Sequence, residues 1–169
     1  MALNDSTKTA TVLHGWHHDD YDLAKRQIMQ ALGSSEDLEI FGSNVLVAVY
    51  VRPDRTARGF YMGSKKQIED IYNGKAVMII KCGPDAFKGD EGWTKAQYGE
   101  RKPPEPGDWC FVREDMGVPI MFCGDGASRP KGEDRDGKAV DVYDWDGWPC
   151  RIIGHTDLIG RMNKPHTVV

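Results

Sequence analysis

The sequence predicts a mainly β protein: a small β-barrel or sandwich preceded by an N-terminal arm and one amphipathic helix. Three observations lead there. Nineteen glycines and nine prolines in 169 residues make turns frequent and favour short strands over long helices. The runs NVLVAVYVR (44–52) and KAVMIIKCG (75–83) are apolar, rich in β-branched residues and closed by Pro53 and Gly83, as strands are. The clearest helix signal, DDYDLAKRQIMQALG (19–33), lies ahead of both.

Taken in order, residues 1–18 are polar and without period. They read as an arm, with Thr11–Leu13 as its one short extended segment. In the helix that follows, Asp19 or Asp20 supplies the N-cap, acids crowd the first turn, and Gly33 gives a left-handed stop. Tyr21, Leu23 (or Ala24), Ile28 and Leu32 form an incomplete apolar stripe that needs a surface to lie on. The chain thus divides into an arm and helix over 1–39 and a β domain over 40–169.

After the 44–52 strand, PDRTARGFYMGS is a loop that presents Phe60, Tyr61 and Met62 between two glycines. SKKQIEDIYNG (64–74) reads as a short helix with Ser64 as N-cap and Ile68, Ile71 and Tyr72 on one side, or alternatively as an edge strand. WCFV and VPIMFC flank REDMG with hairpin spacing. Residues 124–137 form an exposed loop or hairpin tip. KAVDVYDWDGWPCRII reads as strand, Asp-Gly turn and strand. HTDLIGRM ends the series as a helical turn or a short strand. Of the tryptophans at 93, 109, 145 and 148, two are expected in the core and the others at subunit contacts.

Composition narrows the function. The net charge is −4 with both signs interspersed, so no basic stripe marks a nucleic-acid partner. No apolar run approaches the roughly 20 residues of a membrane span. The N-terminus lacks the plan of a signal peptide, which places the protein in a host cytoplasm. Cys82, Cys110, Cys123 and Cys150 are widely spaced, with no C-x-x-C pair; they are either reduced thiols or disulfide candidates that oxidise after release from the cell.

Chemistry-bearing clusters are few. HGWHHDD (14–20) gathers histidines and aspartates that suit transition metals, yet no structured spacing fixes their geometry, and a solvated arm accounts for them. EDRDG (133–137) and DVYDWDG (141–147) are fragments of calcium-loop chemistry without its closing Glu, so acidic turns account for them. No nucleophile elbow, Walker loop or dinucleotide fingerprint is present. The expectation is a protein that is not an enzyme and has neither cofactor nor metal.

The order of pieces resembles the GroES-like (chaperonin-10-like) β-barrel family in a bacteriophage version. The matching pieces are NVLVAVYVRP with Thr56 and Gly59 in the loop after it, GKAVMIIKCG, PEPGDWCFV with the Gly107-Asp108 step, and WPCRIIGHTDLIGRM with Asp157-Leu158-Ile159. They span about residues 40–162, interrupted at 84–104 and 124–142. The resemblance implies a barrel whose loop 53–63 docks on a chaperonin ring through Phe60, Tyr61 and Met62. This loop carries one glycine where the family usually has two, and an arm and helix precede the barrel. Those departures favour a different expectation: a structural protein of a large assembly, a phage capsid decoration or cementing protein on the virion surface. Trp16, Leu23 and Ile28 of the arm and helix would then grip neighbouring copies or the major capsid protein. A co-chaperonin capping a chaperonin ring is the alternative.

Overall fold

The computed structural model describes residues 21–52, 64–88, 101–133, 138–141 and 145–165. Helix α1 (Tyr21–Leu32) leads into strand β1 (Asn44–Val49). Helix α2 (Ser64–Asn73) and strand β2 (Ala76–Cys82) follow. Then come β3 (Trp109–Val112), β4 (Val118–Phe122), β5 (Lys131–Glu133), β6 (Ala139–Asp141) and β7 (Trp148–Gly154). A 3-10 turn (His155–Asp157) and β8 (Leu158–Met162) complete the series. The molecule is mainly β. Six strands form one antiparallel sheet in the order β4-β7-β1-β2-β3-β8, and β5 and β6 pair as a separate hairpin.

The central strands are predominantly apolar because both faces of the sheet are covered. On one face, Leu46, Ala48 and Tyr50 of β1 and its end join Met78, Trp109, Trp148 and Cys150 in a core cluster. On the other, Val45, Val47, Val77, Ile79, Cys110 and Ile153 pack with Ala86, Phe87 and Leu158. The alternation follows the pleat, which sends successive side chains to opposite faces.

Helix α1 begins and ends close to where its sequence signals place it. Gly33 takes the left-handed conformation (φ +67°), and its N–H donates to Met29 O at 3.0 Å. The apolar stripe is Ala24, Ile28, Ala31 and Leu32, all buried in the first cluster with the sheet residues. This corrects the expectation that Ile28 grips a neighbour: its side chain is fully enclosed by its own chain. The segment after β4 then takes over the helix's last carbonyls. Gly124 N–H donates to Leu32 O (2.7 Å) and Ser128 N–H to Gln30 O (3.0 Å), while Ser34 N–H bonds Asp125 O (2.7 Å). A helix assigned by sequence to a separate 1–39 unit therefore shares one core with the sheet.

Two strand pairings differ from the sequence reading. WCFV and VPIMF are not a hairpin, because β2 and β8 occupy both edges of β3 while β4 pairs with β7. Nor does β6 pair with β7 across the Asp146-Gly147 turn; its partner is β5. The Asp-Gly turn itself forms, with Gly147 at φ +76°. The β3–β4 link also constrains the shape of the sheet. Four strand spacings of about 4.8 Å would separate β3 from β4 in a flat sheet, some ~19 Å. A fully extended link from Val112 to Val118 reaches only about 20 Å. This link holds Asp115 (φ +59°) and Gly117 (φ +91°) in left-handed conformations, so it is far from extended. The sheet is accordingly curled.

One buried charge joins α2 to this sheet. Arg151 of β7 is 2% exposed, and its guanidinium donates to the carbonyls of Ile71 (3.1 Å), Tyr72 (2.5 Å) and Gly74 (3.0 Å). These belong to the last turn of α2 and the residue after it, which no intrahelical donor can satisfy. Burial lowers the pKa of Arg151, opposed by the negative charge of Asp115, yet arginine remains charged at any working pH. Replacing Arg151 by Met keeps the stem and leaves three carbonyls short of a donor. Urea unfolding is expected to show a loss of roughly 2–4 kcal/mol. A loss below about 1 kcal/mol would show that the helix end is held by something else.

Candidate partner-binding face

Helix α2 stands between the residue that ends the first strand region and the strand that follows. Its sequence offers Ser64 at the start and Gly74 as the stop, whose N–H donates to Asp70 O at 2.9 Å. The acid at the end of its second turn, Asp70, sets its orientation. Asp70 is buried and accepts from the backbone N–H of Arg52 (2.9 Å), from Nε (2.9 and 3.0 Å) and from Nη2 (2.6 Å). Such a forked contact is among the stronger hydrogen-bonded pairs proteins make. The hydrogen bond to Asp70 raises the pKa of Arg52, outweighing the effect of its partial burial. Gln67 Nε2 adds a long contact to Arg52 O at 3.5 Å.

Turning Asp70 inward turns other residues outward. Sequence reading put Ile68, Ile71 and Tyr72 on one side; in the structure only Ile71 packs against the core. Ile68 (53% exposed) and Tyr72 (62%) lie one helical turn apart, on the side away from Asp70. Below them, Arg52, Glu69, Asp70, Asn73, Lys75 and Glu114 line a shallow open cleft of about 90 Å³. That is well below the roughly 300 Å³ at which pockets for organic ligands begin. Lys75 and Glu114 meet across it at 3.5 Å, both exposed, a contact with little bearing on stability.

Three of the other exposed apolar side chains stand on the two edge strands. Val118 (63%) and Met121 (52%) project from edge strand β4, and Ile159 (52%) from edge strand β8. Sequence reading missed β4 as an edge because it paired VPIMF with WCFV. The available signal was Pro119, which lacks the N–H a central strand requires. Phe41, on the turn before β1, and Met29 on α1 are also exposed.

The remaining expected site residues fall as follows. Trp16, Phe60, Tyr61 and Met62 lie outside the described residues, as do Trp93 and the 14–20 cluster, and the side chain of Leu23 is likewise not described. Trp109 and Trp148 are core residues. Trp148 Nε1 donates to Val49 O at 2.8 Å, and Trp109 meets Tyr50 edge-on at 5.7 Å. Trp145 is half-buried against Trp148, at 6.5 Å between ring centroids. All four cysteines are free thiols in this structure. Cys110 and Cys150 belong to opposite core clusters, so the sheet itself lies between them. No group of three or more His, Cys, Asp or Glu among the described residues could hold a metal, and no helix among them is long and apolar enough to cross a membrane. No protein-family model matches the chain, and no curated protein matches it.

Two measurements check this geometry. Asp70→Asn removes the charge facing Arg52 and should lower stability by roughly 2–4 kcal/mol in denaturant unfolding, since it leaves a half-buried guanidinium without its partner. A variant as stable as the parent would show that the pair contributes nothing to holding α2. For the thiols, burial pushes Cys110 and Cys150 up to about 12 and raises Cys82 as well, whereas Cys123 is exposed. Only the thiolate reacts. A thiol reagent at mildly alkaline pH is therefore expected to label Cys123 first, and Cys110 and Cys150 only after unfolding. Prompt native labelling of Cys110 or Cys150 would contradict the packing.

Proposed function

We propose that the protein is a non-enzymatic structural subunit of a large protein assembly, in its most concrete form a decoration or cementing protein of a bacteriophage shell. The observation that carries this reading is the composition of edge strand β4. A strand edge offers a row of unpaired backbone groups, and proteins that remain single shield it with charge, brevity or a cover. Here β4 is VPIMF, without a charged residue, and exposes Val118 and Met121; β8 exposes Ile159 as well, though it carries Arg161. Association with copies of itself or with the major capsid protein would bury these side chains. Repetition of a weak contact around a symmetric shell would multiply its effect.

The enclosed helix α1 moves the helix's share of this role onto the edges, while the arm over 1–18 lies outside the described residues. The resemblance to GroES-like barrels remains part of the proposal. It is supported by the curled antiparallel sheet and by the order of its pieces along the chain. Contact residues at the edges need not resemble those of any characterised ring.

A second reading, a co-chaperonin that caps a chaperonin ring, is favoured by one specific contact. The Arg52–Asp70 pair ties together the residues that bracket segment 53–63, and a docking segment benefits from fixed roots because less ordering is left to binding. It predicts nucleotide-dependent co-elution with a chaperonin, lost on Phe60→Ser or Met62→Ser.

The first reading is tested with Val118→Lys and Met121→Lys in the full chain. Both side chains are solvent-exposed, so the fold should persist by circular dichroism. Addition to preformed shells, or self-association by light scattering, is expected to weaken about tenfold or more for each. Unchanged association in both variants would remove the edge strand from the interface and the reading with it.

A further inference from the structure

We propose that the Asn73-Gly74 step at the end of α2 is a site of spontaneous deamidation that the fold holds shut. Once the reaction occurs, it keeps the end of α2 from closing again. Of the asparagines at positions 4, 44, 73 and 163, only Asn73 precedes glycine. Glycine puts no side chain in the way of its own nitrogen. Packing demands it here, because a Cβ on Gly74 would run into Asp70 O and stand 3.1 Å from Val49 Cγ1. The helix stop therefore gives the exposed Asn73 the neighbour that leaves its side-chain amide most open to attack.

In deamidation the backbone nitrogen of Gly74 bonds to Asn73 Cγ, and Nδ2 leaves with the displaced proton as ammonia. The cyclic imide that results takes up one water and opens to aspartate or, through the other carbonyl, to isoaspartate. The first step needs the Gly74 nitrogen free and Asn73 out of its helical dihedrals, which turn that nitrogen away from Cγ. The closed structure refuses both. Gly74 N–H donates to Asp70 O at 2.9 Å, and Arg151 holds the carbonyls on either side, Tyr72 O and Gly74 O. Reaction thus proceeds through a local opening of the helix end. The product does not fit back. Asn73 is placed to donate through Nδ2 to Asp115 Oδ1 at 3.1 Å and to Tyr72 O at 3.3 Å. A carboxylate has no hydrogen for either and sets a like charge beside Asp115. The cations of the adjoining cleft, Arg52 and Lys75, already face Asp70 and Glu114. Isoaspartate, in turn, adds a methylene to the main chain between two carbonyls that one guanidinium grips.

The test incubates the full chain at mildly alkaline pH, native and in urea, and follows Asn73 by peptide mass spectrometry with separation of isoaspartate. Asn73 is expected to deamidate in urea, and about tenfold or more slowly in the native chain, as for a site that must open first. Arg151→Met in native buffer should narrow that gap, whether it loosens the helix end alone or the whole fold. Asn73→Asp carries the charge of the product, and its Gly74 amide should lose about tenfold in hydrogen-exchange protection, as for loss of one hydrogen bond. Equal rates in the native and unfolded parent, or an Asn73 that survives urea unreacted, would overturn the proposal, and both are read without any variant. A native Arg151→Met chain that reacts no faster, or unchanged Gly74 protection in Asn73→Asp, would overturn it as well.

Discussion

Helices α1 and α2 are held at their C-terminal ends by the sheet and by the segment that leaves it, and the rest of the structure depends on that constraint. A helix ends with carbonyls that cannot bond within it, and burying them without donors is costly. For α1 the donors are the N–H groups of Gly124 and Ser128 beyond β4; for α2 they are the guanidinium of Arg151 in β7. The two solutions depend on adjoining parts of the sheet, because the segment with Gly124 follows β4, and β4 and β7 are neighbours. Neither helix can leave without exposing polar groups and apolar surface together. That is why a segment expected to reach outward is instead part of the interior.

Fixing the helices decides what faces solvent. Once Asp70 is committed to Arg52 and the end of α2 to Arg151, Ile68 and Tyr72 have no core position open to them. Once β3 is enclosed by β2 and β8, the five apolar residues of β4 become an edge. The exposed apolar surface is thus a consequence of how polar groups were satisfied. This gives the proposed assembly role a physical origin in the fold, since the surface most in need of a cover lies where the sheet ends.

Much of the fold could be read from the residues, and the failures share a cause. β1, β2 and β7 announce themselves because burial on both faces leaves few polar interruptions, and α1 is bounded by acids at one end and Gly33 at the other. The turn at Asp146-Gly147 follows from its residue types. What eluded the reading was non-local. WCFV and VPIMF have the spacing of a hairpin, and only the competition of β8 for the edge of β3 separates them. The stripe on α1 showed that it needed a surface without showing whose. Arg151 reads as a charge interrupting an apolar strand; its role needs the end of a helix far away in the chain. The candidate face was less legible than the fold. Only Pro119 hinted at an edge, and the orientation of α2 rests on a buried Asp70 that resembles any other acid on a short helix.

The central claim, that α1 and α2 are integral to the sheet's core, is tested most directly by native-state hydrogen exchange on the intact chain. The account predicts that amides in the middle of α1, around Ile28, exchange only through the same global opening as those of β1 and β7, with denaturant sensitivity to match. Fast exchange of α1 through a local opening, while β1 and β7 stay protected, would contradict it and return the helix to the role of a detachable arm.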